Sequence, residues 1–296
     1  MKHRIGTLVV CLFSAIILTG CQPQQANPTS ILVFAAASLR DAMEETGANF
    51  QRQTGITVQF NFGGSNMLAR QIEFSRKADI FLSANLLWAD YLADKELLVE
   101  NTRQPFLSNS LVFIANSNSQ YELASAQDIM NLSFRFFSIG DPKAVPAGSY
   151  AKAYLSSVLA VQTAPPNQSN LQSVWRSLES KILPAPDVRA ATAAVAAMPD
   201  VIGMVYKTDA LASSNVRILF EPLIDEAPEV QYFAALINRH LGLEQEPDES
   251  NNNGVSQSAV EFLSFLSEPQ SKLIFRKHGF IAHDRVLNTS IERAEL

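Results

Sequence analysis

The sequence predicts an α/β protein of two lobes, each a mostly parallel sheet flanked by helices. Short apolar runs alternate with amphipathic segments from Ile31 onward, which is the pattern of βαβ units. Several of the runs end at a serine or glycine just before a helix, where open α/β sheets bind ligands. The 296 residues are 47% hydrophobic and 18% charged, which suffices for two cores. We therefore expect a ligand cleft between the lobes.

The first thirty residues predict export. After a short basic start, Ile5–Thr19 is an apolar run too short to span a bilayer comfortably, so residues 1–20 are expected to be a signal peptide. The run ends in Leu18-Thr19-Gly20-Cys21, which resembles the lipobox of bacterial lipoproteins and implies lipidation of Cys21, with residues 21–30 as a tether. The alternative is an ordinary signal peptide that contains a cysteine. Without residues 1–20, Cys21 is the only cysteine, so no internal disulfide can form.

Three strand–helix pairs are predicted at the start of the first lobe. Ile31–Ala35 is a β-branched and aromatic run that leads to Ser38, the expected N-cap of a helix. Ile56–Phe62 alternates as a strand does, and a Gly-Gly turn follows it before Ser65, a second expected N-cap. Ala78–Ser83 is the third strand. The first amides of these helices carry the positive end of a helix dipole, so we expect them to face an anion.

The second lobe is predicted at residues 111–230. A strong strand, Ser110–Ala115, precedes a polar segment that marks the first crossing between lobes. Further on, Pro146 is expected to open a helix, and Asp187 to cap another whose first residue is Val188. Val201–Tyr206 is a strand that ends in a tyrosine. Helix starts and strand ends are thus expected to face the cleft from this side as well.

The rest of the chain is predicted to return to the first lobe, which therefore comprises residues 31–110 and 231–290. Gln231–Ile237 is the returning strand, and helices are expected from Ser256 and from Pro269. Leu241–Gly254 is rich in Glu and Asn, which predicts a solvated loop. Residues 281–296 have no predicted place in the core.

Six short motifs follow one another between Ile31 and Phe280. They are Phe34-Ala35-Ala36-Ala37-Ser38-Leu39, Ser65 to Ile72, Ala78 to Ala84, Gly140-Asp141-Pro142 with Val145 to Gly148, Pro186 to Arg189, and Gly203 to Tyr206. In this order they resemble the molybdate-binding protein family of ABC importers, which has the type II periplasmic binding protein fold. The resemblance implies a monomer without cofactors that captures molybdate, and tungstate too, and delivers it to a membrane permease from the periplasm or cell surface.

The resemblance also implies a ligand set made of neutral groups. These would be the hydroxyls of Ser38, Ser65 and Tyr206 and the backbone amides of Ala147 and Val188. A hydrogen bond to a charged group contributes about 1.5–3 kcal/mol, so such a shell can hold a tetrahedral dianion without a counter-ion. A shell of donors also rejects protonated phosphate, whose O–H would find no acceptor.

The sequence departs from the family pattern at two places. Gly63-Gly64 stand where small polar residues are often found, and Asn85 stands where an aspartate is common. Neither departure removes an implied ligand. The glycine pair is expected to change the rigidity of the loop before Ser65.

Three other functions are weighed against this interpretation. The nearest is a binding protein for another tetrahedral oxyanion such as sulfate. An enzyme is disfavoured because Gly63-Gly64-Ser65 is not a nucleophile elbow and the histidines outside the signal peptide lack metal-ligand spacing. A ligand-sensing regulator is disfavoured because it normally carries a DNA-binding domain, whereas this N-terminus predicts export. Nucleic acid is disfavoured as a partner because the net charge is -6 and no basic cluster could neutralise a phosphate backbone.

Overall fold

The computed structural model describes residues 30–161, 178–239 and 255–283. Their strands, in chain order, are β1 (Ser30–Ala36), β2 (Thr57–Gly63), β3 (Ile80–Ser83), β4 (Gln104–Asn109), β5 (Leu111–Asn116), β6 (Phe136–Gly140), β7 (Ile182–Ala185), β8 (Val201–Tyr206), β9 (Val216–Phe220), β10 (Val230–Leu236) and β11 (Ile281–Ala282). The helices are α1 (Arg40–Thr54), α2 (Ser65–Ser75), α3 (Leu86–Ala93), α4 (Pro146–Val161), α5 (Val188–Ala197), α6 (Lys207–Leu211), α7 (Gln257–Phe265) and α8 (Pro269–Lys277).

The first sheet has six strands in the order β11-β4-β10-β3-β1-β2. β1 pairs in parallel with β2 and with β3, which confirms the predicted βαβαβ arrangement. β10 is antiparallel to β3 and β4, and β11 is antiparallel to β4. The sheet is therefore mixed, with β1 to β4 in one direction and the two returning strands opposed to them.

The second sheet has five strands in the order β7-β6-β8-β5-β9. β6 is parallel to β7 and β8, whereas β5 is antiparallel to both β8 and β9. The chain changes sheets at Ser110, before β5 and not in the polar segment after it, and it returns between β9 and β10. The lobe boundaries at residues 110 and 230 stay a prediction. The assignment of the strands to the two sheets agrees with them.

The returning segment is held on the first lobe by aromatic packing. Phe50 of α1 lies edge-on against Phe262 and Phe265 of α7, with ring centroids 5.0 and 5.2 Å apart. Phe50 and Phe262 are fully buried. Burial of such a side chain contributes about 1.5–3 kcal/mol, so the C-terminal helices are an integral part of this lobe.

Two of the predicted helix caps are wrong. Ser38 lies inside a 3-10 turn, Ala37–Leu39, that precedes α1, and its hydroxyl bonds to Tyr232 rather than to a helix amide. Gly64 occupies the cap position of α2, so Ser65 is the first helical residue and its hydroxyl bonds to the amide of Ala84. Both hydroxyls bond to groups on other strands and loops of the sheet, which sequence periodicity cannot show.

The other predicted helix starts are confirmed. Pro146 is the first residue of α4 and Pro269 is the first of α8. Asp187 caps α5, because its carboxylate accepts the N–H of Ala190 at 2.9 Å. Gly279 follows α8 with φ +88°, a conformation that glycine adopts without strain.

The sequence predicts no place in the core for residues 281–296, but Ile281–Ala282 form β11 at the edge of the first sheet. Two residues are too few for a sequence pattern. The predicted signal peptide, Cys21, the loop at 241–254 and the end of the tail lie outside the described residues. Within the described ranges, no helix is both long and apolar enough to cross a membrane.

Candidate functional site

The five residues of the implied ligand set line one cavity between the two sheets. Ser38 and Ser65 follow β1 and β2 on one side. On the other side, Ala147 and Val188 lie in the first turns of α4 and α5, and Tyr206 ends β8. The cavity is small, with about 10 Å³ open to the centre of a water-sized sphere, close to what one water molecule needs.

The surroundings of Ser65 leave its hydrogen free to be donated. Its side chain is buried, and its Oγ accepts the N–H of Ala84 at 3.0 Å. A hydroxyl has one hydrogen to donate. Since the Ala84 amide occupies a lone pair, the Ser65 hydrogen stays available to a ligand in the cavity.

Ser38 is buried to a similar degree, and its Oγ lies 2.9 Å from the hydroxyl oxygen of Tyr232. Tyr232 belongs to β10, the central returning strand of the first sheet. The 3-10 turn after β1 brings Ser38 to this neighbour. Ser38 therefore lies between the cavity and a second buried hydroxyl.

Ala147 and Val188 offer backbone amides. The first four N–H groups of a helix have no acceptor within the helix, and both residues lie in a first turn. The cap at Asp187 uses the amide of Ala190, two residues beyond Val188, and not the Val188 amide. Two helix N-termini thus direct the positive ends of their dipoles toward the cavity.

Tyr206 carries a buried polar atom without a partner. Its side chain is 1% exposed, and among the described residues its hydroxyl makes no hydrogen bond. Such a group costs about 1–3 kcal/mol and calls for an explanation. Burial raises the pKa of Tyr206 well above its usual value, so the phenol stays protonated and can donate. A bound acceptor in the cavity would satisfy it.

The described lining of the cavity contains no lysine, arginine or histidine. Arg189, next to Val188, turns away and joins the lobes: it contacts Asp41 of α1 at 2.5 Å and Asp209 of α6 at 2.7 Å. Burial raises the pKa of the Asp209 carboxyl to about 7, against the opposing effect of Arg189. The guanidinium beside Val188 is thus already paired with carboxylates.

A larger cavity of about 100 Å³ lies on the other side of Ser38. Its lining includes Arg189, Lys277 and His278, but the side chain of each of them has a carboxylate partner. Lys277 and His278 both contact Glu45 at 2.8 Å. These groups bind one another, whereas the hydroxyl of Tyr206, which has no partner among the described residues, lies in the smaller cavity.

Two features bring the lobes close together beside the site. The indole Nε1 of Trp88 donates to the carbonyl oxygen of Ala144 at 2.9 Å. A Cβ placed on Gly64 would lie 2.7 Å from the carbonyl oxygen of Pro186 in the opposite lobe. Gly64 therefore permits a backbone approach that any other residue would block. The Gly-Gly pair before Ser65 was the sequence signal that pointed here.

The comparisons with known proteins agree with this architecture. Residues 31–281 match the family described as bacterial extracellular solute-binding protein. The chain is 35% identical over 259 residues to the molybdate-binding protein ModA of Escherichia coli, covering 86% of this chain and 90% of that protein.

Two solved structures share the fold. The periplasmic molybdate-binding protein of Azotobacter vinelandii superposes with a TM-score of 0.68 at 17% identity, over 86% of this chain and 99% of that one. The sulfate-binding protein SubI of Mycobacterium tuberculosis superposes with a TM-score of 0.70 at 15% identity, over 86% and 88%. With the match over residues 31–281, the chain belongs to the bacterial extracellular solute-binding protein family.

Proposed function

We propose that this protein captures molybdate, and tungstate with it, in the cavity between its lobes and delivers it to an ABC importer. The observation that carries the proposal is the convergence of neutral donors on one cavity around the unpartnered hydroxyl of Tyr206. The oxyanion is a transported ligand and not a cofactor. Its ligands are Ser38 and Ser65 from one lobe and Ala147, Val188 and Tyr206 from the other.

A tetrahedral dianion fits this set of donors. Four oxygens can accept several hydrogen bonds at once, each contributing about 1.5–3 kcal/mol when the acceptor is charged. The helix N-termini at Ala147 and Val188 add favourable dipoles. The neutral phenol of Tyr206 has no charge to repel the ligand. The binding energy thus comes from oriented donors, without a counter-ion.

Similarity to ModA of Escherichia coli supports molybdate as the ligand, because that protein is named for binding it. The structural likeness to a sulfate-binding protein keeps sulfate as the competing ligand. Both anions are tetrahedral dianions, so cavity size must separate them. The cavity admits little more than a water molecule in this arrangement, so we expect it to widen around the larger oxyanion.

Delivery follows from the two-lobed arrangement. We place lobe 1 at residues 31–110 and 231–290 and lobe 2 at 111–230, with the anion docking on the serines of lobe 1 before lobe 2 closes over it. The closed form is then the one that a permease recognises. Lipidation at Cys21 after removal of residues 1–20 would tether the protein to the membrane on its extracytoplasmic side.

Calorimetric titration of the purified protein with molybdate, tungstate, sulfate and phosphate tests the proposal. We expect tight one-to-one binding of molybdate and tungstate and no binding of the other two. Binding of sulfate in place of molybdate would overturn the ligand and leave the cavity as the site. Binding of phosphate with similar affinity would contradict selection by hydrogen-bond donors and would make Asp187, which also lines the cavity, the candidate acceptor for the proton of the anion.

A further inference from the structure

Ser38 is the end of a buried hydrogen-bond chain that begins between the lobes. Its Oγ lies 2.9 Å from the hydroxyl of Tyr232, and that hydroxyl lies 3.2 Å from the side-chain nitrogen of Asn109. Tyr232 is fully buried, and Asn109 is 7% exposed. Neither of them lines the cavity. Their polar groups would therefore act on a bound anion through Ser38, whereas the Tyr232 ring packs on that of Tyr206 with centroids 5.9 Å apart, a contact that a phenylalanine would keep.

The direction of the hydrogens in this chain follows from Asn109. Its Oδ1 accepts the N–H of Ser110 at 2.9 Å, so its Nδ2 faces the other way, toward Thr208 at 2.9 Å and Tyr232. An amide nitrogen can only donate. The Tyr232 oxygen is thus an acceptor on this side.

The single hydrogen of Tyr232 must then be donated elsewhere. Ser38 Oγ is the acceptor that the described part of the chain places within hydrogen-bond distance of it. When Ser38 accepts this hydrogen, its own hydrogen is left for the cavity. An isolated serine hydroxyl could instead turn and present a lone pair.

We propose that Asn109 and Tyr232 are positioning residues that hold the Ser38 hydroxyl as a donor toward the bound oxyanion and so exclude anions that carry a proton. The proposal rests on the proposed function, because it concerns the same cavity. A protonated anion needs an acceptor for its O–H, and a single rotatable hydroxyl could provide one. Ser38 accepts from Tyr232 and Ser65 accepts from the amide of Ala84, so each serine gives up one of its two lone pairs and keeps its hydrogen for the anion, which favours donation over acceptance.

Two further features support a fixed direction. Burial raises the pKa of Tyr232, so its hydroxyl stays protonated across the neutral range. Asn109 ends β4, one residue before the chain changes sheets, and its bond to Thr208 reaches into α6 next to β8. Groups from both sides of the crossing therefore hold the amide in place.

The variant Tyr232→Phe removes the hydroxyl and leaves the ring. We expect it to weaken molybdate binding about three- to tenfold, while phosphate binding at pH 7, measured by competition, is unchanged or improved. The ratio of the two affinities then falls by about tenfold or more. Tyr154→Phe is the matched control, because Tyr154 is equally buried but packs on Phe113 in the second lobe, and it should leave the ratio within about twofold.

A double-mutant cycle separates positioning from a general structural effect. In a Ser38→Ala background, Tyr232→Phe should change molybdate affinity by less than about twofold, because the group through which it acts is gone. An equal loss in both backgrounds, or an equal loss for every anion, would overturn the proposal.

Asn109→Asp is a second variant, and it should reverse the direction of these hydrogen bonds. Its carboxylate would accept the Tyr232 hydrogen, so Ser38 would donate to Tyr232 and turn a lone pair to the cavity. We expect the ratio of molybdate to phosphate affinity to fall here too, again without effect in the Ser38→Ala background. An unchanged ratio in a folded Asn109→Asp protein would contradict this hydrogen-bond relay from Asn109 through Tyr232 to Ser38.

The relay and the proposed function fail differently. If the unaltered protein binds sulfate and not molybdate, the proposed ligand is wrong, and the same ratio measured with sulfate still tests the relay. If it binds molybdate and the Tyr232→Phe ratio is unchanged, the relay alone is wrong. Absence of any oxyanion binding in the unaltered protein would overturn both.

Discussion

Trp88 and Ala144 join the two lobes directly, through a hydrogen bond of 2.9 Å from the indole Nε1 to the carbonyl oxygen. Ala144 lies just before the Val145-Pro146-Ala147 segment that lines the cavity. Trp88 lies near the start of α3, after the loop that bonds to Ser65. The contact thus connects the two walls of the site, so its formation should accompany closure of the lobes around a ligand.

Trp88 should therefore report ligand binding by fluorescence. The chain has two tryptophans, so Trp175→Phe leaves Trp88 as the sole emitter. We expect the emission of this variant to change on addition of molybdate, with the midpoint that calorimetry gives. Calorimetric binding without any change in Trp88 emission would mean that the lobes do not move against each other at this contact.

Gly64 sets how closely the lobes approach. A Cβ at this position would lie 2.7 Å from the Pro186 carbonyl oxygen, so Gly64→Ala should hold the lobes apart and weaken molybdate binding about 5- to 100-fold. Gly63→Ala is the matched control. Its Cβ would meet Leu68 at an ordinary 3.5 Å, and binding should change by less than about threefold. Equal effects of the two substitutions in calorimetry would refute a closure role for Gly64.

The two serines should each contribute to affinity. Ser38→Ala and Ser65→Ala remove one donor to a charged ligand, so each is expected to weaken molybdate binding about 10- to 100-fold. Ser157→Ala is the matched control. It makes the same change in side chain, but the Ser157 hydroxyl bonds to the carbonyl of Tyr154 on α4, away from the cavity. If Ser38→Ala and Ser65→Ala bind molybdate as tightly as the control and the unaltered protein, the ligand lies elsewhere.

The buried Asp209 should make stability depend on pH. Its pKa is raised by burial to about 7, with Asp187 and Asp41 adding to the rise and Arg189 opposing it. Between pH about 4 and about 7 the folded state therefore binds more protons than the unfolded state, so this group's contribution to stability falls as pH rises through that window. The slope is at most about 1.4 kcal/mol per pH unit.

Asp209→Asn tests that contribution, because asparagine does not titrate. Urea unfolding at pH 5, 6, 7 and 8 should show the variant gaining stability relative to the unaltered protein up to pH about 7, with little further gain above it. A difference in unfolding free energy that does not vary with pH would contradict the raised pKa. A difference that varies in the opposite direction would do so as well.

The sequence predicted the parts of the fold that depend on local patterns. The apolar runs gave β1, β2 and β8, and the cap at Asp187 and the proline at Pro146 gave the starts of α5 and α4. Motif order then implied five ligand positions, and the structure brings all five to one cavity. These features are encoded within short segments, so they can be read without a structure.

The features that the sequence could not predict depend on distant pairs. Tyr232 lies 194 residues from Ser38, and no local motif marks it or Asn109. The wrong caps have a related cause, since both serine hydroxyls bond to groups outside their own helices, 194 residues away for Ser38 and 19 for Ser65. β11 was missed because two residues carry no periodicity. Long-range side-chain bonds, more than backbone elements, were hidden from sequence analysis.

The hydroxyl of Tyr206 offers the most direct test of the central claim, that neutral donors in this cavity hold a tetrahedral dianion. Calorimetric titration of molybdate into the unaltered protein and into Tyr206→Phe should be compared side by side. We expect the phenylalanine variant to bind about 10- to 100-fold more weakly while its thermal stability without ligand is unchanged or higher, because a buried unpartnered hydroxyl is gone. Unchanged molybdate affinity in Tyr206→Phe would show that the anion does not bind in this cavity.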